Sequence, residues 1–147
     1  MRRLYQALAG LLVLAVVAQF YFAAVGAFAK PQNNSSFILH DITGSAVIPA
    51  VSLLLVIVAA VARAPGRLIG LSAAPLGLVV VQMLIVVLGR ALNNGDDQTT
   101  PAGLAILGLH AINGLVIGAF AGIILRRARA LNAAPRGTDT PASAPVG

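Results

Sequence analysis

Four long apolar runs separated by short polar breaks account for most of this chain. They cover about residues 4–29, 37–62, 68–92 and 101–126. Each exceeds the roughly 20 residues that cross about 30 Å of hydrocarbon at about 1.5 Å per residue. The breaks are a polar loop from Lys30 to about Ser36, a tight turn at Arg63-Ala64-Pro65-Gly66-Arg67, and a loop at Asn93–Pro101 rich in turn residues. The pattern predicts an all-α fold, a polytopic membrane four-helix bundle over residues 1–130. Residues 131–147, rich in Pro, Ala, Ser, Thr and Gly, cannot bury a core and are expected to form a disordered tail.

The polar residues inside the spans recur in register. Gln19 is followed seven residues later by Gly26, and Gln82 seven residues later by Gly89. The second span opens with His40-Asp41-Ile42-Thr43-Gly44, and the fourth contains His110-Ala111-Ile112-Asn113-Gly114. The two halves therefore read as two like hairpins. Both begin on the same side, so they are expected to be related by an axis along the membrane normal. The gap from Gln to His is seven residues longer in the second half, and the Asn93–Pro101 loop is the simplest place to absorb the excess.

Charge orients the bundle. Arg2, Arg3, Arg63, Arg67, Arg126, Arg127, Arg129 and Arg136 lie at one set of ends, with only Lys30 and Arg90 at the other. This asymmetry predicts both termini in the cytoplasm of a cell-membrane protein. It also gives the net charge of +6 a membrane meaning, with no nucleic-acid partner implied. Met1-Arg2-Arg3 and the apolar stretch after it resemble a secretory signal. The stretch is far longer than the 7–15 residues usual for one, so retention as a span is expected. Hydrophobic residues are 59% of the chain and cysteine is absent, which excludes disulfides and thiolate metal sites.

Gln19, His40, Gln82 and His110 are the polar groups that need an account, with Asn113 beside them. Counted from the basic residues at about 1.5 Å per residue, Gln19, Gln82 and His110 share one layer about 22–24 Å from the inner boundary, and His40 lies near 34 Å. Buried amides and imidazoles can simply hydrogen-bond across helices. Two histidines leave a zinc tetrahedron half filled, so no metal site is expected. No carboxylate lies within a span and no serine has a base near it, so no catalytic constellation is recognised. Haem is the one cofactor whose needs match: axial imidazoles from His40 and His110 on parallel helices, with Gly44 and Gly114 leaving room for a flat macrocycle. On the fourth helix, Gly114, Gly118 and Gly122 recur every four residues and form the best packing surface, for a neighbouring helix, a second copy or another membrane protein. Pro49 and Pro75 fall inside spans and are expected to shape their helices only.

Gln19, the Phe37-x-x-His40-x-x-x-Gly44 entry to the second helix, Arg63 and Pro65, Gln82, and Leu109-His110-x-x-Asn113-Gly114 together resemble a bacterial domain-of-unknown-function family of small four-helix membrane proteins. The resemblance covers roughly residues 1–130 and implies the fold but no activity. More distantly, paired histidines on helical hairpins look like those of b-type cytochromes. The expected function is accordingly that of a small integral membrane protein with a polar Gln/His layer near its outer face. A b-type haem electron-transfer protein and an accessory or transporter-like subunit are the alternatives.

Overall fold

A computed structural model describes residues 1–93 and 98–133. Among them the chain is helical throughout its long segments: α1 (Arg2–Phe28), α2 (Ile38–Ile42), α3 (Ile48–Val61), α4 (Gly66–Ala91) and α5 (Pro101–Ala133). A 3-10 turn at Asn34–Phe37 leads into α2, and one π-helical turn at Thr43–Val47 joins α2 to α3. These pieces form a single second span, Ser35–Val61, so four rods are long and apolar enough to cross a membrane. The rods make a ring in which α1 packs on α3, α3 on α4, α4 on α5 and α5 back on α1. This is an up-down four-helix bundle, as the pattern of apolar runs predicts.

Most of each span's surface faces outward and is apolar. Leu14, Leu84, Val87 and Leu115 are each more than 60% exposed, a surface suited to lipid and unsuited to water. The buried seam is narrow and rich in small residues: Ala9, Leu12, Ala15 and Val16 on α1; Val51, Leu55 and Ala59 on α3; Ser72, Pro75 and Val79 on α4; Ile117, Ala121, Ile124 and Ala128 on α5. Alanines at the seam let backbones approach closely, which is how helices gain packing energy where lipid is as apolar as leucine. Pro75 sits in this seam with α4 unbroken around it.

At the end that carries both Arg2 and the Arg63 turn, Tyr5 crosses the bundle to Ser72 at 2.7 Å. Ser72 donates its own proton to the Leu68 carbonyl, so Tyr5 is the donor to Ser72. Tyr5 is a core residue, 4% exposed. Ser72→Ala should leave the Tyr5 hydroxyl orphaned and cost about 1–2 kcal/mol, whereas Tyr5→Phe should cost about 1 kcal/mol. Equal losses in detergent unfolding would contradict this donor assignment.

The turn between the second and third spans closes with a Schellman motif: Ala64 N–H bonds to Ala59 O, Arg63 N–H to Ala60 O, and Arg63 takes φ 51°. A non-glycine residue there costs about 1 kcal/mol. Arg63→Gly should therefore stabilise the bundle by up to about 1 kcal/mol in the same assay.

Three expectations need correction. α5 runs on to Ala133, past the expected helix end at 126 and into the expected tail. The extra turns are held there: Arg2 donates to Leu131 O, and Asn132 donates to Arg2 O and to the Gln6 side chain. The remainder of the tail, 134–147, lies outside the described residues. The seven extra residues between Gln82 and His110 are not in the loop. The connections 29–37 and 92–100 are equally long, and α5 instead begins nine residues before His110 where α2 begins two before His40.

The glycine face of α5 packs on a neighbouring helix, the first of the uses expected for it. A side chain at Gly114 would meet Phe20, and one at Gly118 would contact Val16, so both glycines are used by α1 of the same chain. Only Gly122 looks onto open space. Val116, on the opposite side, is exposed, whereas Ile123 is half-buried.

A candidate ligand cleft between two histidines

The core ends, one residue per span, at Val16, Ile48, Val79 and Ile117, and beyond them a cleft of about 460 Å³ opens. Gln19, His40, Gln82 and His110 all line it, together with Gly44, Gly114, Ser45, Asp41 and Arg90. The His40 and His110 rings lie 5.9 Å apart between centroids, tilted by 49°. The depth mismatch expected between the histidines is thus absent. Arg126 was the wrong reference: Arg2 sits level with Leu131, which is 21 residues from His110, and α3 ends at Val61, 21 residues from His40.

The cleft exists because the second span bends away. Pro49 has no N–H for the carbonyl four residues back, and its ring crowds that turn. The helix absorbs it as the π turn at Thr43–Val47, with Ile48 N–H reaching back to Thr43 O. Gly44 within that turn lets the Gln19 side chain approach so closely that a Cβ there would stand 2.6 Å from its amide nitrogen. As a result α2 and the π turn pack against α1, while α4 packs on the second span through α3. The lining residues Asp41 and Ser45 on the second span and Met83, Val87 and Arg90 on α4 are exposed, so the cleft is open along these two spans. Met83 and Val87 are well exposed, as residues at a mouth would be.

Hydrogen bonding fixes the state of His40. Its Nδ1 lies 3.1 Å from the Gln19 backbone carbonyl, which can only accept, so Nδ1 carries the proton. In the neutral ring Nε2 then accepts, and its neighbour at 3.2 Å is the Gln19 side-chain amide nitrogen, which donates. The amide orientation follows from the backbone contact and leaves Gln19 Oε1 buried without a partner among the described residues. A nitrogen-15 spectrum of ring-labelled protein at neutral pH should therefore show His40 as the Nδ1–H tautomer. A dominant Nε2–H signal would overturn the assignment.

Across the cleft the pattern differs. Gln82 donates to the His110 backbone carbonyl at 2.8 Å, and Asn113 donates both to Gln82 Oε1 and to Leu78 O. Gln82 is fully engaged, and the His110 ring is left free. Its Nδ1 is buried with no partner, and no described residue bonds to Nε2. His110 lines the cleft, next to Gln82.

The haem expectation fares less well on these contacts. Both nitrogens of His40 are taken by Gln19, so it offers no lone pair to an iron. The space at Gly44 is filled by Gln19 and that at Gly114 by Phe20, leaving no macrocycle slot against either glycine. The residues as arranged do not fit two-histidine ligation. Among the described residues there is no cluster of three His, Cys, Asp or Glu side chains that could hold a metal.

Gly26 and Gly89, singled out by their spacing from the glutamines, pack at the edge of this region. A Cβ at Gly26 would meet the Phe37 ring, and one at Gly89 would meet Leu107. Sequence reading passed over Phe20, Met83 and Arg90 as cleft residues. An apolar side chain in an apolar helix carries no mark of which cavity it borders.

Residues 19–90 match the Family of unknown function (DUF6220). No curated protein and no solved structure matches the chain. The matched stretch begins at Gln19, takes in His40 and Gln82 and ends at Arg90, so it holds the cleft residues of the first three spans apart from Val16.

Proposed function

We propose that this chain is a multi-pass protein of the cell membrane, with the Arg2 and Arg63 end cytoplasmic, that binds a small amphiphile in the cleft at its outer end. The cleft carries this reading. Side chains from all four spans converge on it, its floor is apolar, its polar groups are incompletely paired, and it opens sideways toward lipid. A cavity lined mainly by apolar groups with a few convergent polar ones is the usual form of a small-molecule site. The side opening favours a ligand that arrives through the bilayer over one that arrives from water. The topology rests on the eight-to-two distribution of basic residues.

Two measurements test the proposal. Reporter fusions after Asn33, Gly66, Gly95 and Ala133 should read outside, inside, outside, inside; a tail reporter active outside would reverse the orientation. Protein extracted in native lipid discs should carry a bound amphiphile visible by native mass spectrometry. Ala23→Phe, which fills the cleft from α1, should release it. Equal retention by the filled variant would place the molecule elsewhere.

The two halves also share contacts that support a duplicated hairpin. Gln19 meets His40, Gln82 meets His110, and Gly26 and Gly89 each receive a side chain from the following helix. They differ in one respect with a functional reading. In the first half the amide holds the imidazole itself, whereas in the second it holds the backbone and leaves the imidazole free for a ligand.

A further inference from the structure

The cleft has a polarity of its own, which limits what it can hold. Its deepest unpaired groups are Gln19 Oε1, an acceptor fixed in place by His40, and the His110 imidazole, which in its neutral form can give one hydrogen bond and receive another. A buried acceptor left unpaired is costly, so the site discriminates in favour of a group that brings a hydrogen to Gln19 Oε1. A phosphate or carboxylate head would present lone pairs to that oxygen and find no cation beside it. Among the described residues, Arg90 is the only lysine or arginine lining the cleft, and it is exposed. The walls that lead from these groups to the side opening, Val79, Val86, Met83 and Val87, are apolar.

Resting on the reading of this cleft as a lipid-phase ligand site, we propose that it selects an uncharged, hydroxyl-headed amphiphile. The hydroxyl donates to Gln19 Oε1, the head accepts from or donates to His110, and the apolar remainder leaves between α2 and α4. A quinol is the sharpest case, because its oxidised partner has the same shape and lacks the hydroxyl hydrogen. Binding alone is proposed, with no electron transfer.

The experiment compares decyl benzoquinol with decyl benzoquinone by calorimetry under argon, using the full chain in lipid discs. The reduced form should bind about tenfold or more tightly than the oxidised form, the difference made by one satisfied acceptor. Gln19→Met removes that acceptor at similar length but frees His40 Nε2 as another, so it is combined with His40→Phe, and the double variant should bring the ratio close to one. His110→Phe should weaken the reduced form by about tenfold, and Ser72→Ala, outside the cleft, should change neither affinity. The wild-type comparison needs no variant, so misfolding of either substitution leaves the proposal exposed to refutation. Equal affinities for the two forms overturn it, as does tighter binding of dodecyl phosphate than of the quinol. If neither probe binds while Ala23→Phe still releases the native amphiphile, the hydroxyl-headed class is wrong and the cleft stands. If Ala23→Phe retains that amphiphile, the cleft reading itself falls.

Discussion

Leu12→Ala should lower the unfolding free energy of the bundle by about 2–5 kcal/mol, among the largest effects expected in the chain. Leu12 is fully buried where α1 meets the other helices, within a seam that also contains the alanines Ala9, Ala59, Ala121 and Ala128. Closely approaching backbones cannot relax into the space a leucine vacates. In a bilayer the loss is one of van der Waals contact, because exposing leucine to lipid costs little. The neighbouring Leu11 is nearly half exposed on the outer side of the same helix, and Leu11→Ala should change stability by less than about 0.5 kcal/mol. Steric-trapping or detergent-titration unfolding of both variants tests the contrast. Similar losses at the two positions would mean that α1 is rotated about its axis from the orientation described.

Asn113→Leu should cost about 2 kcal/mol and loosen the cleft. Asn113 is 9% exposed and donates to both Leu78 O and Gln82 Oε1, while Gln82 passes the connection on to the His110 backbone. Single interhelical hydrogen bonds in membranes average about 0.6 kcal/mol. Removing this donor breaks two bonds and strands the Gln82 acceptor, which raises the penalty. Gln82 would then be free to swing into the cleft, so quinol affinity should change as well as stability. Asn113→Asp offers a second check. It keeps the shape, but even its protonated form supplies one hydrogen where the amide supplies two, so one of the two acceptors is left unpaired and the bundle should again be destabilised. An Asn113→Leu protein with unaltered stability and binding would show that the α4–α5 network is not needed to build the site.

The helices were legible in the sequence because their cause is local. Four runs longer than a bilayer crossing can do little else than form helices, and the breaks between them are written in Arg, Pro, Gly and Asn. Gln19, His40, Gln82, His110 and Asn113 were legible for a related reason: a polar side chain stands out in an apolar span, and these recur in register. Helix ends were less legible. Counting from Arg126 misjudged depth because α5 continues as helix through its arginines to Asn132, whose bonds to Arg2 and Gln6 hold it there. Those contacts join residues about 130 positions apart, which no local pattern records.

The sequence by itself determined that there are four apolar rods, where the charges sit, and which polar groups must find partners. Only the tertiary structure decided which partners they find. The π turn before Pro49 draws α2 onto α1 and away from α4, so the two histidines face each other across a cleft. The close approach at Gly44 places the Gln19 amide against His40, which fixes one imidazole and leaves the other open. The physical reason is that hydrogen bonds and packing depend on distance in space. Two identical residue types in matching positions become a fixed ring and a free one through contacts across helices, and their spacing along the chain carries no record of those contacts.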